Sequence, residues 1–215
     1  MKYIFLLIGA GMMVFLSSSC GSSSKDSSEE VELDSNPLTA LAKIGEEVQK
    51  KMETSEEKLA ERRERGDTLA LNYKELQKYL PESMEGYERS DPEGQSMTMQ
   101  GMSYSMASVD FNNDNGDYVR ITLVDYNSAY NLYSMTSTMW ATGISIEDDE
   151  QKANGVKLDN GITGWEVYRK IDRESSVMLG LGYRFILTVE ATNQESTEFV
   201  KSVVKSMDMD KLMEM

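Results

Sequence analysis

Two periodicities take turns along this chain. From Asn36-Pro37 to Arg65, Leu38, Leu41, Val48, Met52 and Leu59 recur at three- and four-residue steps, with Gly45 and Ser55 interrupting the seam. Asn caps well and Pro suits the first helical position, so the pattern predicts a long helix that stops at Gly66. Most of its surface is Glu, Lys, Arg and Gln, which suits a stalk, or a helix laid weakly on the domain or a partner, better than a strong coiled coil. Asn72-Tyr-Lys-Glu75 reads as a capping box that opens a short helix ending at Leu80-Pro81.

Beyond Pro81 the period drops to two. Gly86–Ser90 predicts a short strand, and Asp91-Pro-Glu-Gly94 a turn. Ser103–Phe111 and Tyr118–Tyr126 form a hairpin about Asn112–Asp117, with Val119, Ile121 and Leu123 on one face. Asn127 is placed to cap a helix bearing Leu132, Met135, Met139 and Trp140. After the acidic break Glu147-Asp-Asp-Glu150, strands are expected at Ile162–Ile171, Ser176–Leu181 and Tyr183–Ala191. Asn193 then caps a last helix whose apolar face is Phe199, Val200, Val203, Val204 and Met207. Hairpins with helices inserted between them predict an α+β fold. Its antiparallel sheet has about five to six strands, covered by helices and preceded by the long N-terminal helix.

Composition narrows the function. With no His there is no Ser-His-Asp catalysis and no imidazole metal site, and one Cys excludes an intramolecular disulfide. A net charge of -15 opposes binding to nucleic acid, whose phosphates would repel it.

The N-terminus carries the most specific signal. Tyr3–Leu16 is an apolar run of 14 residues behind Lys2. That is shorter than the roughly 20 a spanning helix needs, and it fits a signal-peptide core. Leu16-Ser-Ser-Ser-Cys20-Gly21 resembles the lipobox of bacterial lipoproteins, departing from it in Ser17 where Leu is usual. The resemblance implies lipidation of Cys20 and a membrane attachment through the N-terminal lipid, which two or more acyl chains make stable. Gly21 after the Cys implies the outer membrane, on its periplasmic or its surface face. Lys25-Asp26 and Glu29-Glu30 look like a diluted surface-export signal, or a plain solvated linker. The expected division is a signal peptide over 1–19, a lipidated tether over 20–36, a helical stalk over 37–66 and a globular domain over 69–215. The element order is similar to that of PsbP-like α/β/α sandwiches, mainly over Gly161–Asp208. Leu80-Pro81, Gly86-Tyr87 and Gly101–Ser105 look like a pattern in exported bacterial proteins of unknown function. Neither likeness implies an activity.

Candidate chemistry is sparse. Met97, Met99, Met102 and Met106 fall within ten residues. Their spacing resembles Met-rich copper-handling segments of the bacterial envelope, and thioethers can hold Cu(I) without His or Cys. Met207, Met209, Met213 and Met215 could add further sulfurs, although Met is also good core filler. Asp110–Gly116 fails as an EF-hand, because its sixth position is Asn115 and its twelfth Ile121. Glu147–Glu150 reads as a solvated loop, and Trp140 and Trp165 as core. The expectation is therefore a non-catalytic envelope lipoprotein presenting a binding or scaffolding domain, with a protein partner in the envelope and no cofactor. A Met-rich Cu(I) carrier is the alternative.

Overall fold

The computed structural model of the chain describes residues 37–99, 102–127, 129, 133, 140, 145–158 and 161–215. The expected signal peptide and tether, Cys20, Gly101 and most of the helix expected after Asn127 lie outside the described residues.

The chain forms an α+β structure built on one antiparallel sheet. The strands are β1 Glu88–Arg89, β2 Glu93–Met99, β3 Met102–Asn112, β4 Tyr118–Asp125, β5 Ser145–Glu147, β6 Gln151–Lys157, β7 Thr163–Arg169, β8 Glu174–Leu181 and β9 Phe185–Ala191. They lie in the order β1-β3-β4-β9-β8-β7-β6-β5, with β2 also paired to β3. Among the described residues nine strands replace the five to six expected. The additions are β2, β5 and β6. The expected turn Asp91–Gly94 gives way to β2 at Glu93, and the acidic break is the tight turn of the β5–β6 hairpin. There Asp148 Oδ1 accepts from the N–H groups of Glu150 and Gln151 at 2.9 and 2.8 Å. Strands at or near a sheet edge have little apolar alternation to betray them, and a short charged edge such as Ser-Ile-Glu resists further pairing.

The period-two pattern decides which face is buried. Along β3, Ser103, Ser105, Ala107, Val109 and Phe111 are buried, while the residues between them are partly exposed. Val119, Ile121 and Leu123 on β4, Val177, Leu179 and Leu181 on β8, and Phe185, Leu187 and Val189 on β9 continue that face. It is covered by α2 (Tyr73–Leu76) with its following 3-10 turn, by α3 (Glu198–Lys205) and by α4 (Asp210–Met213). Leu76, Leu80, Val200, Val203, Val204 and Leu212 supply the apolar side chains. Asn72 caps α2 through its Oδ1, as its sequence predicts. Thr197, not Asn193, precedes α3, and Asn193 instead holds a positive φ of 56° after β9.

The opposite face is also packed. Tyr133, Trp140 and Ile186 form a second cluster there, flanked by Tyr126, Trp165, Met178 and Tyr183. Gly180 makes this cluster possible, since a Cβ at that position would stand 2.7 Å from both Trp140 Cζ3 and the Tyr133 hydroxyl.

Helix α1 spans Pro37–Glu64. It does not stand clear of the sheet along its whole length, because Ser55 and Arg62 are buried to 4% and 2% exposure. At this end α1 is laid on the domain and is not a free stalk. The seam breaker Ser55 and a cation face inward, where an apolar stripe would be the ordinary choice.

Candidate functional site

A buried polar lock holds α1 and the linker behind it. Arg184, the last residue of the β8–β9 turn, donates from Nε and Nη2 to both carboxylate oxygens of Asp125, at 2.9 and 2.8 Å. Its Nη1 donates to Asp67 Oδ2 at 2.6 Å. Burial alone would disfavour the Arg184 charge, but Asp125 and Asp67 outweigh that and hold its pKa above the ordinary arginine value. Asp125 also accepts from the backbone N–H of Leu71 and of Asn127. The Asn127 carboxamide accepts from Arg62 Nε at 2.9 Å and donates to Asp67 and to the Leu69 carbonyl. Ser103 and Ser105 bind the same linker, at Ala70 N and the Leu71 carbonyl. Thus the residue expected as a helix cap ties α1 to the end of β4.

Above this lock lies a cavity of about 410 Å³. One wall is the inward side of α1 from Val48 onward, with Arg65 just after the helix. The opposite wall is Gly161–Thr163 with Gly180, Gly182 and Tyr183 of the sheet end, joined by Tyr133 and Trp140, and Met213–Met215 complete it. A cavity of this size at a helix–sheet junction, with apolar and polar groups sharing its lining, has the form of a small-molecule site. Its polar groups are unusual for a chain of charge -15. Lys51, Lys58, Arg62 and Arg65 line it against two acids, Glu61 and Glu214. Arg62 donates to two neutral acceptors, Asn127 Oδ1 and, at 3.3 Å, the Tyr183 carbonyl. Its pKa is lowered by burial and by the neighbouring Arg184 charge, so added negative charge would be welcome there. The Ser55 hydroxyl, buried in the α1 wall, makes no hydrogen bond. Sequence reading found Trp140 as core but not the cavity beside it. The available signal was the cation-bearing spacing Lys51, Ser55, Lys58, Arg62, Arg65 on one side of α1.

The methionines are brought together by pairing, not by a bend in one strand. β2 and β3 are antiparallel with Met99 opposite Met102, Met97 opposite Tyr104 and Gln95 opposite Met106. Directly opposed residues share a face, so all four Met project from the face away from the core. Met97, Met99 and Met102 are 45%, 57% and 49% exposed. Met106 sits two rows further along, half-buried. The C-terminal methionines lie elsewhere: Met209 is in the core, and Met213 and Met215 line the cavity.

The remaining acidic candidates are satisfied internally. Glu147 pairs with Lys152 and Lys170, and Asp110 makes a bidentate pair with Arg120 at 2.7 and 2.6 Å. Asn113 Oδ1 organises the β3–β4 turn by accepting from Asn115 and Asp117. Among the described residues no group of three or more His, Cys, Asp or Glu could hold a metal ion, and no helix is long and apolar enough to cross a membrane. No family model, no curated protein and no solved structure matches this chain.

Proposed function

We propose that this chain is a non-catalytic lipoprotein of the bacterial outer membrane, anchored through lipidated Cys20, whose α+β domain is a binding module. The sole Cys of the chain, placed behind a 14-residue apolar run and a row of serines, supports the anchor. The binding part rests on one observation, the cavity between α1 and the sheet with its cationic groups and unpartnered Ser55. On this reading the anchor holds the domain at the membrane and the domain captures an envelope component.

Detergent phase partitioning tests the anchor. The full chain is expected in the detergent phase, and Cys20→Ala in the aqueous phase once the signal peptide is cleaved, or as uncleaved precursor. A cleaved Cys20→Ala chain that still enters detergent overturns the anchor. Co-purification from envelopes tests the binding part, and a chain that retains neither a small molecule nor a protein overturns it.

A second reading, a soft-metal carrier, is favoured by the β2–β3 register alone. That pairing sets three exposed thioethers on neighbouring rows of one face. Titration with Cu(I) separates it from the first.

A further inference from the structure

The cavity has two chemically different parts. Trp140, Tyr133, Ile162 and Met213 give an apolar floor and end, and α1 with the residue after it gives a wall whose groups include Ser55, Lys58, Arg62 and Arg65. Lys58 is paired with Glu61 at 2.8 Å, and Arg65 donates to the Met215 main-chain oxygen at a long 3.3 Å. Arg62 meets only neutral acceptors at hydrogen-bond distance among its described partners. Ser55 Oγ is buried with an open donor and two open lone pairs, a state that costs free energy unless a partner arrives. From Ser55 to Arg62 is seven residues, two helical turns, so both lie on the same side of α1. A ligand completing this site would bring an acceptor with negative charge to that side and an apolar body to the aromatic floor.

We propose that the cavity binds a small amphiphilic carboxylate, its head between Ser55, Arg62 and Arg65 and its apolar body on Trp140 and Tyr133. At the roughly 30 Å³ that a water occupies in the liquid, about 410 Å³ is the room of about fourteen non-hydrogen atoms. That matches a medium-chain fatty acid better than a full membrane lipid. The inference rests on the binding-module reading and gives it a ligand class.

Photolabelling of the full chain in a non-ionic detergent tests it. Two diazirine-bearing probes of equal chain length are compared, a dodecanoate and a dodecyltrimethylammonium, with labelled peptides mapped by mass spectrometry. The dodecanoate is expected to label the peptides carrying residues 48–65 and Trp140 at least tenfold more than the ammonium does. Unlabelled dodecanoate should compete and dodecanol should not. Arg65→Glu, exposed and outside the buried lock, should reduce the labelling about tenfold. Because the head-group comparison uses the unaltered chain, it stands even where a variant folds poorly. Equal labelling by both probes overturns the carboxylate and leaves a general apolar site. Absence of label from the cavity peptides overturns the inference outright, while co-purification of a protein partner would still uphold the binding module.

Discussion

Arg184 and Asp125 are the residues on which the architecture depends most visibly. Both are essentially inaccessible, at 2% and 0% exposure, and they meet through two parallel hydrogen bonds. A buried pair gains little over a well-packed apolar pair, yet losing one member leaves an uncompensated charge. Arg184→Met should therefore lower stability by about 3–5 kcal/mol, read as a shift in the urea unfolding midpoint. Adding Asp125→Leu should cost less than the sum of the two single changes, because the stranded charge is then gone. If Arg184→Met shifts the midpoint no more than an exposed ion-pair change, about 1 kcal/mol or less, the lock is not structural. Asp110 and Arg120 supply that comparison. Their pairing holds Asp110 below the usual carboxylate range, but their side chains are 33% and 51% exposed and solvent screens them.

At the scale of elements, α1 is not uniform. No described residue of α1 before Ser55 belongs to the core, whereas Ser55 and Arg62 are buried against the sheet end. A chain beginning at Ser55 should unfold within about 1 kcal/mol of the full chain, since no described residue that it loses is in the core. A chain cut after Gly66 strands Asn127 Oδ1 and the Tyr183 carbonyl, each at about 1–3 kcal/mol. Urea midpoints of the two truncations decide this, and equal midpoints would return α1 to a free stalk. The division also explains what could be read from sequence. β3, β4, β8 and β9 were legible because a one-sided core imposes alternation, as in Val119, Ile121 and Leu123. β5 and β6 were not, because neither Ser-Ile-Glu nor Gln-Lys-Ala-Asn-Gly-Val-Lys carries that imprint. The lock was illegible for another reason. Asp67, Asp125 and Arg184 are far apart in sequence, and only the antiparallel closure of β4 on β9 puts the two ends together.

Over the whole molecule, the two candidate ligand surfaces belong to different parts of one sheet. The thioether face is on β2–β3, and the cavity touches β7, β8 and α1. β3 and β8 are three strand spacings apart in the sheet order, about 14 Å at the usual separation. The sites should therefore act independently, and each reading can fail alone. On the hairpin, Met99 and Met102 are directly opposed and Met97 is one row away. Side chains as long as Met reach across both the direct and the diagonal spacing, about 5 and 7–8 Å. Three sulfurs can thus meet on one ion, while Met106, two rows from Met102, stays outside. Titration of the reduced chain with Cu(I) against a competing chelator should then give one ion per chain. The ion should be lost in the triple variant Met97→Leu, Met99→Leu, Met102→Leu and kept in Met106→Leu. The triple variant should keep its fold, because volume-conserving apolar swaps cost under about 1.5 kcal/mol each even in a core, and these three side chains are about half exposed. Binding should also raise the melting temperature with Cu(I) concentration, as any ligand of the native state does. Dodecanoate labelling of the cavity should not change when the ion is added. Failure of the chain to compete with the chelator would remove the soft-metal reading and leave the methionines as an exposed apolar face of the hairpin.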